Sequence, residues 1–205
     1  MHARQSLAMV LVVSFAPTLA LSQQFTGSKP IDHLPAPVVL EQRDHAASFQ
    51  DVIARVGDDV FIGGQPTERG LRDMRAQGVT TVVNLRTPEE MRRDVKFDEA
   101  ALVAQLGMKY VYLPVRGNEE YPFTPETVAK FTAALRNADG KVLLHCTVGW
   151  RASHLWAAYL IRERGISVDG ALANARAINL MDSHHMGSGP MPVEEFLGRR
   201  LHGAP

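Results

Sequence analysis

Two hydrophobic periods alternate along most of the chain. Short apolar, largely β-branched runs recur at Asp59-Val60-Phe61-Ile62, Val79 to Leu85, Tyr110-Val111-Tyr112-Leu113 and Val142-Leu143-Leu144-His145. Such runs read as buried strands. Between them apolar residues fall three or four apart, the spacing of a helix with one buried face. Gln65-Pro66-Thr67-Glu68 opens one such helix, with Thr67 able to cap it, Leu71 and Met74 on one face, and Gly78 as its stop. A second helix is expected from about Asp94 to Leu106, ended by Gly107. Thr124-Pro125-Glu126 starts a third, running to about Asn137. Arg151 to Arg164 is a fourth, and Val168 to Ala177 and Pro192 to Leu201 supply the last two.

Strands alternating with helices predict an α/β fold: a mainly parallel sheet of four to five strands with helices on both faces. This domain is expected over residues 49–205. Residues 23–48 read as an extended lead-in, since Pro30, Pro35 and Pro37 oppose a helix or a central strand. Residues 1–22 read as a signal peptide. His2 and Arg4 precede the apolar run Leu7 to Ala16, Pro17 breaks it, and small residues follow at Ala20 and Ser22. That run is shorter than the roughly 20 residues a membrane span needs. The expectation is therefore an exported protein, periplasmic or secreted after cleavage, with no stable membrane insertion.

Charge narrows the partners. Lys plus Arg and Asp plus Glu both number 22, for a formal net charge of zero. A general nucleic-acid or acidic-lipid binder would carry a basic excess. Cys146 is the single cysteine, so no intramolecular disulfide can form. A lone thiol in an exported chain is either buried and inert or kept for its reactivity.

The residues around Cys146 favour reactivity. In open parallel sheets ligands bind beyond the carboxyl ends of the strands, and the fourth strand delivers Cys146 to that edge. A helix is expected to begin just past Gly149. Its first amides are unpaired and carry partial positive charge, so the loop ahead of it is an anion cradle. Gly149 permits a backbone angle that other residues resist. Arg151 adds a planar fork for oxyanion oxygens. The same positive field favours the thiolate of Cys146.

The run His145-Cys146-x-x-Gly149-x-Arg151 resembles the signature of the dual-specificity and tyrosine phosphatase superfamily, and within it the bacterial beta-lactamase-hydrolase-like phosphatase domain family. Gly63-Gly64-Gln65-Pro66, Val79 to Arg86, Tyr112-Leu113-Pro114-Val115 and Leu155 to Tyr159 extend the resemblance over roughly residues 49 to 180. It implies that Cys146 attacks phosphorus, that a phosphocysteine forms, and that water releases phosphate. Arg151 and the amides of Thr147, Val148, Gly149 and Trp150 would hold the phosphate oxygens. His145 and Ser153 would order the loop. The substrate would be a phosphorylated protein or small molecule, with no metal or cofactor. Oligomeric state is not legible.

The resemblance has three departures. Four residues separate Cys146 from Arg151 where the superfamily usually has five, as also in sulfurtransferases whose cysteine carries a persulfide. Ala152 stands where a Ser or Thr usually helps the thiolate leave, with Ser153 one step late. No Asp follows Pro114-Val115; the stretch runs Arg116-Gly117-Asn118-Glu119-Glu120, so Glu119 or Glu120 is the candidate general acid, and Arg116 a candidate anion contact. A sulfurtransferase and a non-catalytic anion-binding pseudophosphatase thus stand beside the phosphatase reading. His184 and His185, near Asp182, read as a surface loop rather than a metal site, since adjacent side chains diverge.

Overall fold

A computed structural model describes residues 36–40, 47–181 and 190–201. The expected signal peptide and the stretch carrying Asp182, His184 and His185 lie outside the described residues. Six strands form one sheet: β1 (Val38–Val39), β2 (Ile53–Val56), β3 (Val60–Gly63), β4 (Val79–Asn84), β5 (Lys109–Tyr112) and β6 (Lys141–His145), in the order β1-β2-β3-β6-β4-β5. The inner run β3-β6-β4-β5 is parallel, and β1 and β2 extend it antiparallel. The four parallel strands are those anticipated from the apolar runs. The additional strand β2 begins in the same hairpin as β3, and β1 lies within the expected lead-in.

Seven described helices complete the domain: α1 (Glu68–Ala76), α2 (Pro88–Asp94), α3 (Glu99–Gln105), α4 (Pro125–Arg136), α5 (Trp150–Glu163), α6 (Val168–Arg176) and α7 (Pro192–Leu197). The helix expected from Asp94 to Leu106 is α3 alone, which starts later, at Glu99; α2 precedes that range and was not anticipated. Thr87 and Glu90 form a reciprocal capping box that starts α2 at Pro88. Asp98 then accepts from the Ala101 amide and starts α3. Capping at Thr87 and at Asp98 thus sets two short helices, of which only the second falls within the expected range.

The strands alternate their side chains between two cores, as the period of a pleated strand demands. Phe61, Val82 and Leu143 face one side, with Leu71 and Met74 of α1 and Leu102 and Val103 of α3. Ile62, Val83 and Leu144 face the other, with Phe131 of α4, Leu155 and Leu160 of α5, and Phe196 of α7. Burying one such side chain stabilises by about 1.5–3 kcal/mol. The central strand β6 is therefore clamped on both faces and ends at a fixed place, where Cys146 leaves the sheet.

Candidate active site

The chain from Cys146 to Arg151 makes a tight passage from strand to helix. The Cys146 amide donates to the Gly63 carbonyl at 3.3 Å, and the Gln65 amide to the Thr147 carbonyl at 3.0 Å, so the loop is stitched to the Gly63-Gly64 turn. Gly149 is the N-cap of α5 with φ of 83°, in the left-handed region. A Cβ there would lie 2.8 Å from Cγ1 of Val52, so both backbone and packing require glycine. Among the described residues, the amides of Thr147, Val148, Trp150, Arg151 and Ala152 have no backbone acceptor. Five donors are thus left for an anion or water at the start of a 14-residue helix. Cys146 is only 1% exposed and Val148 forms the outer rim.

Arg151 lies beneath this loop, 7% exposed, and its partner is Glu90. Nη2 donates to Glu90 Oε1 at 2.8 Å and Nη1 to Oε2 at 3.0 Å. Nη1 also reaches the Val115 carbonyl at 2.7 Å, and Nη2 the Thr147 hydroxyl at 2.9 Å. The fork is thereby fixed in the loop's own neighbourhood, with Nε as the donor left over and Thr147 as the contact an oxyanion could replace. Burial works to raise the Glu90 carboxyl, but hydrogen bonds from Arg151 and the Thr87 amide and the guanidinium charge hold it down at about 2. Glu90 was not singled out from the sequence. Its signal was present, since Thr87-Pro88-Glu89-Glu90 is a capping-box pattern, yet that pattern announces a helix start and says nothing of Arg151.

The other anticipated residues divide into two groups. His145 is fully buried, and its Nε2 lies 3.1 Å from Oε1 of Glu99 at the start of α3. The Ser153 hydroxyl donates to the Gly149 carbonyl at 2.9 Å, within the loop. The Trp150 ring packs edge-on against His154, with centroids 4.7 Å apart. Ala152 is buried. Glu119 and Glu120, by contrast, are exposed on a turn closed by the Arg116 and Gly117 amides, which both donate to the Tyr121 carbonyl. Arg116, at the base of that turn, brings Nη1 to 3.7 Å from Glu90 Oε1. The structure thus joins Thr147, the residue after Cys146, with Arg151 and Glu90, and leaves the two glutamates of the turn outside those contacts.

A cavity of about 650 Å³ lies between α2, the start of α3 and the stacked rings of Tyr110 and Tyr112. No residue of the Cys146–Arg151 loop lines it. Among the described residues no three His, Cys, Asp or Glu side chains are grouped to hold a metal, and no helix is long and apolar enough to cross a membrane.

This fold and loop define the class of cysteine phosphatase-like domains. The chain belongs to the family described as DSP-PTPase phosphatase fused to NAD+ kinase, whose model matches residues 37–191. Its sequence is 29% identical over 106 residues to the beta-lactamase hydrolase-like protein of Xylella fastidiosa, covering 51% of this chain and 24% of that protein. The corresponding protein of Agrobacterium fabrum is 29% identical over 103 residues, covering 50% and 23%. The matched stretch spans about a quarter of these relatives. Among solved structures, the "Putative phosphatase (DUF442)" of Shewanella putrefaciens CN-32 superposes with a TM-score of 0.53 at 26% identity, over 69% of this chain and 89% of that one. TpbA of P. aeruginosa, in a cysteine-to-serine form complexed with pTyr, has the same fold, with a TM-score of 0.53 at 18% identity over 82% and 90%.

Proposed function

We propose that this protein hydrolyses phosphate monoesters through a phosphocysteine on Cys146. The observation that carries the reading is the juxtaposition of Cys146, the unpaired loop amides and an Arg151 fixed by Glu90. Family membership and the phosphatase neighbours support it. The Cys146 sulfur, as thiolate, would attack phosphorus opposite the ester oxygen. The S–P bond forms as the P–O bond to the leaving group breaks, with the charge on the equatorial oxygens held by the amides and by Arg151. Water then attacks phosphorus, the S–P bond breaks, and inorganic phosphate leaves with the thiolate restored.

The leaving oxygen needs a proton. A carboxyl held at about 2 carries none at neutral pH, so Glu90 does not serve as the acid. Glu119 and Glu120 are the carboxylates on the neighbouring turn, and we assign the proton to one of them, with the turn closing over bound substrate. Arg116 would meet a second anionic group of the substrate, which is a phosphorylated protein or small molecule. Residues 1–22, read as a signal peptide, would export the protein to the periplasm or beyond.

Purified protein is assayed with an aryl phosphate, and separately with thiosulfate plus cyanide, with Cys146→Ser as the control. Phosphate release that falls by at least ~10³-fold in the variant is the expected result. Thiocyanate formation without phosphate release would instead identify a sulfurtransferase. Silence in both, with phosphate still bound, would leave an anion-binding domain.

A further inference from the structure

Behind the loop, on the side away from α5, lies a buried polar group that the proposed chemistry does not use. We infer that Glu99 is a positioning residue for the nucleophile: its carboxylate holds His145, which delivers Cys146, in one orientation and one tautomer. The inference rests on the phosphatase reading only where turnover is the readout.

Glu99 is 2% exposed although it begins a helix, a place where an acidic side chain ordinarily faces water. Its carboxylate is met from every strand around it. His145 of β6 lies 3.1 Å from Oε1, Asn84 of β4 donates to Oε1 at 3.1 Å, and Gln65 after β3 donates to Oε2. Tyr110 of β5 is the fourth neighbour, linked through Asn84 at 2.8 Å. The nearby arginines are committed elsewhere. Arg86 donates to Gln65 Oε1 at 2.9 Å and pairs with Asp94, and Arg151 pairs with Glu90. Of the groups that face Glu99, His145 is the one next to Cys146 in the chain. A buried carboxylate is costly unless hydrogen bonds meet it.

Burial works to raise the Glu99 carboxyl, but His145, Gln65 and Tyr110 outweigh it and hold it below the usual carboxylate range. An ionised carboxylate can only accept, so the ring proton on this axis belongs to Nε2 of His145. The other ring nitrogen, Nδ1, is buried and has no hydrogen-bond partner. The imidazole is thus held from one side, by Glu99 alone. The His145 backbone is already tied to both neighbouring strands, by pairing with Gly63 and by the Leu85 amide at 3.0 Å. Glu99 adds the side-chain restraint one residue before the nucleophile, and connects the Cys146 loop to α3.

The test combines turnover with two readouts independent of it. In nitrogen-resolved NMR of the full chain, a slowly exchanging proton on His145 Nε2 is expected in wild type and lost in Glu99→Gln. Alkylation of Cys146 by iodoacetamide at neutral pH should slow about 5- to 10-fold in Glu99→Gln, the scale of one ordinary hydrogen bond. With an aryl phosphate, kcat should fall by a similar factor with KM nearly unchanged, and the acidic limb of kcat/KM should move. In a His145→Asn background, Glu99→Gln should cost nothing more in alkylation rate. Equal slowing in both backgrounds, or an unchanged alkylation rate, overturns the inference. If Glu99→Gln does not fold, the wild-type spectrum decides, since a rapidly exchanging or absent Nε2 proton overturns it as well. Should wild type release no phosphate while its alkylation still responds to Glu99→Gln through His145, the positioning role stands and the phosphatase reading falls.

Discussion

Glu90 grips Arg151 with both carboxylate oxygens, at 2.8 and 3.0 Å, while its Oε2 also accepts the Thr87 amide at 2.8 Å. One side chain therefore closes the N-terminus of α2 and sets the guanidinium beneath the Cys146 loop. Two elements distant in sequence are locked together at the proposed phosphate site.

Removing that grip should separate placement of Arg151 from the nucleophile itself. Glu90→Gln is expected to weaken vanadate or phosphate binding about 10-fold, because a charge-assisted pair becomes a neutral contact. Arg151→Ala should weaken it further, and Arg151→Lys should restore little, since an ammonium cannot replace the fork. Calorimetric titration of the anion checks both, and unchanged affinity in Arg151→Ala would refute the role of that residue.

Glu90 also governs acid stability. Its carboxyl stands near 2 in the folded chain against 4.5 for the free group, so the folded state binds the proton more weakly. The stabilisation is fully present above about pH 4.5 and is lost as pH falls toward 2. With allowance for solvent screening it amounts to about 1–2 kcal/mol. Urea unfolding at pH 6, 4 and 3 should show wild type losing stability more steeply than Glu90→Gln.

Gly149→Ala tests the loop's backbone. The left-handed angle costs a Cβ-bearing residue roughly 1–2 kcal/mol. The new methyl also meets Val52. Thermal unfolding should show a loss of about 1–3 kcal/mol. Val52→Ala should lessen the additional cost of Gly149→Ala, removing the clash and leaving the backbone part. An identical cost in both backgrounds would rule out the steric part.

The exposed turn is tested by leaving-group chemistry. If Glu119 or Glu120 supplies the proton, Glu119→Gln or Glu120→Gln slows esters of weakly acidic alcohols most and spares nitrophenyl phosphate. The benefit of a general acid is about 10²- to 10⁴-fold. Steady-state rates across a series of aryl phosphates give the answer, and equal loss for every ester would count against both residues.

Much of this fold is legible in the sequence. The parallel strands could be read from Phe61, Val82 and Leu143 and their apolar neighbours, because a buried strand has few ways to be written. Helix starts at Thr67 and Thr124 follow from side-chain caps that act within three residues. Helix α2 was not read because its seven residues bury only Glu90 and carry no apolar stripe, and the capping signals at Thr87 and Asp98 are short. Strand β2 was missed because Ile53-Ala54-Arg55-Val56 is brief and carries no strong alternation.

By itself the sequence determined the strand–cysteine–loop–arginine–helix unit and the family to which it belongs, because these depend on residues close together in the chain. Only the tertiary structure decided which carboxylates meet that unit. Glu90 and Glu99 lie 61 and 46 residues from Arg151 and His145, and they arrive because α2 and α3 pack beside the carboxyl ends of β4 and β6. A buried charge is stabilised by partners in space, and spacing along the chain does not encode them.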